Sequence, residues 1–205
     1  MVSQVSLCDN MIVYLPCVLV SCKSLKIGKL KHNIYYIFLK IGKLLRGNDV
    51  VIVKNGHRIC GTGAALANAP IAQNKAYYEI KIQCTGKWGV GLATRRCNLN
   101  KLPLGCDTDS WVVRQDGCMF HNSEEKGKLP DIPQEGDILG LTYDHIELNF
   151  FLNGSPMSSP FNGIKGTVYP VFYVDEGAVL DVQFDKFYHS PPDGFDPIMI
   201  EQSLL

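Results

Sequence analysis

The sequence predicts an all-β protein, an antiparallel sandwich or barrel. Three observations predict it. From about Gly47 a strand-like run and a turn signal recur nearly every 8–12 residues. Glycine paired with Asn or Asp sits between these runs at Asn55-Gly56, Asp116-Gly117 and Asn153-Gly154. No stretch of this region carries the 3.6-residue apolar period of a helix of three turns.

The elements follow in order. In DVVIVKNGHRICGTG, Val50–Val53 and His57–Cys60 flank Asn55-Gly56. Both residues of that pair tolerate positive φ, so the segment reads as a hairpin. Tyr78, Ile80 and Ile82 alternate with Glu79, Lys81 and Gln83, which gives one buried and one wet face. Thr85-Gly86 turns the chain into a strand where Trp88, Val90 and Leu92 alternate with Gly89, Gly91 and Ala93. Small residues opposite large ones suit a central strand packed closely on its neighbours. Trp111–Arg114 and Cys118–His121 form a hairpin about Asp116-Gly117. Ile138–Tyr143 and Ile146–Leu152 join at Asp144-His145, and Asn153-Gly154 makes a further tight turn. Thr167–Val174 and Ala178–Phe184 close the pattern as a hairpin around Asp175-Glu176-Gly177. The expected core is Val51, Val53, Ile59, Tyr78, Ile80, Ile82, Trp88, Val90, Leu92, Leu139, Leu141, Leu148, Phe150, Leu152, Val171, Leu180, Val182 and Phe184. Long connections are expected over Arg95–Ser110 and Asn122–Glu135.

Composition separates two pieces. The 205 residues balance 20 Lys and Arg against 20 Asp and Glu. Residues 1–46 hold seven of the bases but a single acid, Asp9, so residues 47–205 are acidic by six charges. An acidic body argues against a nucleic-acid surface, which needs bases to neutralise phosphates. Within residues 1–46, the apolar run Met11–Val20 is too short to span a bilayer and is broken by Pro16. KIGKL stands at Lys26–Leu30 and again at Lys40–Leu44. This basic, apolar piece reads as a poorly ordered N-terminal extension of 1–46, or as a segment that lies on a membrane surface. Residues 47–205 form the domain with a short C-terminal tail.

Chemistry is sparse. Eight cysteines form no CxxC pair and no His stands at zinc-finger spacing from two of them, so no metal is expected. Unpatterned thiols within strand-like runs suit a reducing, cytoplasmic setting. Cys118 and His121 are three apart on one strand and face opposite sides, which is no nucleophile–base pair. The GTG at Gly61–Gly63 lacks the strand–loop–helix context of a phosphate loop. No catalytic residue and no cofactor is expected.

Several segments in order resemble the SPRY domain family. They are Tyr77-Tyr-Glu-Ile80, TGKWGVGLAT at Thr85–Thr94, the Asp116-Gly117 hairpin ending in Phe120-His121, Gly136-Asp137-Ile-Leu-Gly140 through Asn153-Gly154, and YPVFYVDEGAVLDVQF at Tyr169–Phe184. The resemblance runs from about Asp49 to Phe187 and leaves the first 46 residues outside it. It implies a bent two-sheet antiparallel β-sandwich of the concanavalin-like jelly-roll type. It also implies a non-catalytic module that binds a peptide segment or protein surface through loops at one rim.

Binding residues are sought in loops set on a rigid scaffold. The candidates are His57 and Arg58 beside the first turn, Arg114 and Gln115 beside Asp116-Gly117, His121 and Asn122 entering the second long connection, and Tyr173, Asp175 and Glu176 in the last turn. Arg, Tyr and Asn supply the hydrogen bonds that an extended peptide requires. The expected partner is a protein or peptide, bound by a monomer, with no nucleic acid and with membrane association only through residues 1–46. A carbohydrate-binding, lectin-like sandwich is the alternative. It would show a Ca²⁺ site or an exposed aromatic platform, and the sequence displays neither.

Overall fold

The structure is a computed structural model that describes residues 40–199. Its fifteen strands are β1 (Ile41–Arg46), β2 (Val50–Val53), β3 (Arg58–Gly61), β4 (Gly63–Ala67), β5 (Ala76–Cys84), β6 (Lys87–Ala93), β7 (Ser110–Arg114), β8 (Cys118–His121), β9 (Glu124–Lys128), β10 (Ile138–Tyr143), β11 (Glu147–Leu152), β12 (Ser155–Asn162), β13 (Tyr169–Asp175), β14 (Val179–Gln183) and β15 (Asp196–Pro197). They form two sheets. Sheet I runs β1-β4-β13-β6-β7-β8-β9, and sheet II runs β12-β11-β10-β5-β14-β3-β2 with β15 added in parallel on β5. Every other pairing is antiparallel. The two-sheet sandwich that the sequence predicts is the fold observed.

The core lies between the sheets. Tyr78, Ile80 and Ile82 of β5 face Val90, Leu92, Phe172 and Val174 of sheet I, all buried. Tyr78 ties the layers together by donating its hydroxyl to the Gly91 carbonyl across the core at 2.8 Å. A second apolar cluster sits on the outer face of sheet I. There Ala64, Leu66, Val112, Val171 and Tyr173 lie under Cys97 and Leu104 of the connection between β6 and β7. Both faces of sheet I are therefore covered. Val171, expected in the central core, belongs to this outer cluster because its neighbours Phe172 and Val174 point inward.

The outer face of sheet II is partly covered by the segment after β14. The Glu79 carboxylate, fully buried, accepts the Tyr188 and His189 amides at 2.6 and 2.9 Å and the Tyr77 hydroxyl at 2.8 Å. Phe187 meets the Tyr77 ring edge-on at 4.8 Å. A buried carboxylate is costly unless hydrogen bonds replace its water, and these three donors do so.

Five expectations are corrected. Val51 and Val53 are 51% and 41% exposed, whereas Val50 is buried and Ile52 packs on the core. Val50–Val53 is apolar at every position, so alternation sets no register there. Pairing does: Ile52 stands opposite Ile59, and directly opposed residues share a face. Leu152, expected in the core, is half-buried at its edge. The boundary at Gly47 also moves. Strand β1 lies inside the expected extension and pairs with β4, Ile41 opposite Ala67, with Ile41 buried. The second KIGKL thus begins the sheet. Met11–Val20 and the first KIGKL lie outside the described residues.

The Asp175-Glu176-Gly177 turn, expected as a hairpin, crosses from β13 in sheet I to β14 in sheet II. The turn from β5 to β6 crosses between the same sheets in the opposite sense beside it, and the two backbones touch. A Cβ on Gly86 (φ 148°) would lie 2.6 Å from both the Ala178 nitrogen and the Glu176 oxygen. Finally, the expected connection Asn122–Glu135 contains β9. Its EEKGK sequence is an exposed, charged edge strand with no apolar alternation to betray it. Strand β4, GAALA, was also hidden: it is buried on both faces and so does not alternate.

Candidate functional site

The nine candidate residues divide into three places. The first gathers Arg114, Gln115, Tyr173, Asp175 and Glu176 at one end of sheet I, where β7 and β13 stop and β6 starts. Four of these five line one pocket of about 300 Å³, together with Lys87, Leu102, Pro103 and Asp116. That volume is at the lower limit for a ligand site.

Tyr173 forms part of its base. The ring is 2% exposed and lies where a Cβ on Gly89 would stand, 2.2 Å from its Cε1. Glycine at 89 is what allows the tyrosine to lie flat on β6. Burial pushes the Tyr173 phenol well above its ordinary range, so it stays protonated. Arg114 stands beside it on the same outer face. Its Nε and Nη2 donate to the Leu104 carbonyl at 3.2 and 2.7 Å, and its guanidinium stacks over the Phe120 ring at 3.7 Å. The arginine therefore pins the β6–β7 connection to the sheet, and the pinned connection supplies Leu102 and Pro103 as the apolar wall.

The rim is charged. Lys87 pairs with Glu176 at 2.5 Å, both side chains more than half exposed. The Asp175 Oδ1 accepts from the Thr62 hydroxyl at 3.1 Å and from the Glu176 amide at 2.9 Å. Asp116 Oδ1 accepts the Cys118 amide at 2.9 Å, which shapes the β7–β8 turn. Gln115 presents a buried side-chain oxygen without a hydrogen-bond partner among the described residues.

The second place holds His121 and Asn122, at the opposite end of β7 and β8. His121 stacks on Trp111 at 4.5 Å and 9° and donates Nδ1 to the Ser110 carbonyl at 2.9 Å. The Asn122 amide donates to the Asp107 carbonyl at 2.9 Å with φ at 53°. The third place is the outer face of sheet II. Arg58 grips Asp181 through Nε at 2.5 Å and Nη2 at 2.8 Å, and Lys54 adds a bond at 3.0 Å. His57 donates Nδ1 to the Val182 carbonyl at 3.0 Å. These four residues have internal partners and do not meet the pocket.

Sequence reasoning missed Lys87, Leu102, Pro103 and Asp116. Asp116 was legible only as a turn residue, and Lys87 only as the polar start of a strand. Leu102-Pro103 lies in a connection whose length was noted, but nothing local shows that it folds back over β7. A larger hollow of about 590 Å³ runs along Arg46–Ile52. It is lined by one continuous stretch of chain and brings none of the candidate residues together.

A two-sheet antiparallel sandwich with loops from three strands converging on a rim pocket defines the class of antiparallel β-sandwich domains. Comparison with known proteins gives the family. The SPRY domain profile matches residues 75–187, and the chain belongs to the SPRY domain family. It is 61% identical over 161 residues to SPRY domain-containing protein 7 of Homo sapiens, covering 78% of this chain and 82% of that one. It is 30% identical over 124 residues to Ran-binding protein 9 of Xenopus laevis, covering 57% of this chain and 22% of that one. Among solved structures, the crystal structure of the TRIM65 PSpry domain superposes with a TM-score of 0.59 at 16% identity, over 70% of this chain and 88% of that one. SPRY domains are protein-interaction modules, in general without catalytic activity, and bind proteins or peptides. Among the described residues no helix is long and apolar enough to cross a membrane.

Proposed function

We propose that this chain is a non-catalytic adaptor that holds a peptide segment of its partner against the rim at the ends of β6, β7 and β13. One observation carries the reading: Arg114 and Gln115 converge with Tyr173 and Asp175, a pair distant from them in sequence, on a single pocket with an apolar wall and polar edges. A rigid sheet beneath and a pinned loop above suit recognition with little ordering cost. The setting is reducing and cytoplasmic, a reading supported by the five described cysteines, all free thiols.

The test is selection from a displayed peptide library on the full chain, followed by NMR titration of the selected peptide. Shifts at Lys87, Arg114–Asp116 and Tyr173–Glu176 are expected. Selected peptides that leave these signals unmoved, or that instead shift His57, Arg58, His121 and Asn122, would overturn the proposal.

A further inference from the structure

The rim pocket has a chemical preference written into its unspent groups. Its cations are already engaged. Arg114 is fixed by the Leu104 carbonyl, the Cys106 sulfur and the Phe120 ring, and Lys87 is paired with Glu176. Its acceptors are not. The Asp116 and Asp175 carboxylates each use Oδ1 internally, and Oδ2 of each has no hydrogen-bond partner among the described residues. The acceptors line the same hollow as the apolar Leu102 and Pro103.

A ligand that satisfies this arrangement needs a charged multi-donor head on an apolar stem. Arginine and lysine side chains have that build, since their methylene stems cover apolar surface while the head stays polar. A carboxylate would meet two carboxylates, and an aliphatic side chain would give neither of them a donor. We infer that the rim pocket takes a basic side chain, arginine or lysine, presented by the partner's peptide segment. The inference rests on the rim-binding reading above and sharpens it.

Octapeptides differing only at a central residue (Arg, Lys, Asn, Glu or norleucine) are titrated onto the full chain by fluorescence anisotropy, with NMR shifts read on the same samples. Their flanking sequence is taken from the peptide library selection. The Arg or Lys peptide is expected to bind about tenfold more tightly than the norleucine peptide, the size of one charge-assisted bond. The advantage should shrink with added salt. It should vanish in Asp116→Asn with Asp175→Asn, which preserves the internal Oδ1 bonds and hence the fold, checked by thermal unfolding. A Glu or Asn peptide that binds best at the rim, or an Arg preference unchanged in the double variant, overturns the cationic assignment and leaves rim binding standing. If no peptide of the series shifts rim signals, both readings fall.

Discussion

Replacing Asp181 by asparagine should cost stability without touching binding, and the size can be worked from the structure. Asp181 is 4% exposed and holds Arg58 in a two-point grip, with Lys54 as a third donor. The Lys54 side chain is 54% exposed, so its pair with Asp181 contributes little. The Arg58 pair is the main contribution, and two charge-assisted bonds on a nearly buried carboxylate amount to about 1.5–3 kcal/mol. For a domain of this size that lowers the melting temperature by roughly 3–12 °C. Burial by itself would raise the Asp181 carboxyl, but the hydrogen bonds from Arg58 and Lys54 outweigh it and hold the group below the usual carboxylate range. A depressed folded-state value stabilises above the unfolded value, near about 3.9, and the benefit is lost as pH falls through the folded one. The gap between the parent and Asp181→Asn should therefore be constant from neutral pH down to about 5 and close only below about 4. Urea unfolding across that range measures it. A gap under about 0.5 kcal/mol at neutral pH, the scatter of ordinary surface substitutions, would refute the assignment. So would a gap that closes above pH 5, or a loss of peptide affinity as large as the loss of stability.

Other outcomes follow from the same contacts. Gly89→Ala sets a Cβ 2.2 Å from the Tyr173 ring and should destabilise by about 1–3 kcal/mol in thermal unfolding, with displaced Tyr173 signals and weaker rim binding. Glu79→Ala leaves the Tyr77 hydroxyl and two amides without their acceptor; limited proteolysis should then cut within Phe187–Phe195 sooner than in the parent. Burial, with the nearby Asp107 carboxylate, pushes the Cys97 thiol up to about 12, so at pH 8 alkylation followed by mass spectrometry should label exposed Cys84 well before Cys97.

The sequence displayed the scaffold better than the site, and the reason is the range of the interactions. Strands such as β5 and β6 alternate because one face meets the core, a local pattern. Turns such as Asn153-Gly154 are legible because φ values of 49° and 82° select their residues. Where local pattern is silent, structure decides: β2 is apolar throughout, β4 is buried on both sides, and β9 is charged at every position but Gly127. The crossing at Asp175–Gly177 has hairpin chemistry but joins different sheets, because its partner is the neighbouring crossing at Gly86. The candidate residues follow the same division. Polar loop residues were recognisable by type, but whether each had an internal partner was not. Arg58 is met by Asp181, and the two are 123 positions apart.

Asp175 and Asp181 make the consequence concrete. Both are carboxylates within one stretch of chain that crosses from sheet I to sheet II. Asp181 receives three bonds from two cations, and a ligand would have to break them to use it. Asp175 receives only a hydroxyl and an amide on one oxygen and keeps the other for a partner. A group whose capacity is spent internally stabilises the fold and cannot discriminate between ligands, because engaging it costs what it gains. A group with capacity left over can discriminate, since its bond exists only in the complex. Arg114 is fixed against Leu104 and Phe120, while Asp116, like Asp175, has one oxygen without a partner among the described residues. The arginine builds the pocket and the two carboxylates select what enters it, so Arg114 substitutions should weaken all peptides alike and Asp116 substitutions should change which peptide is preferred.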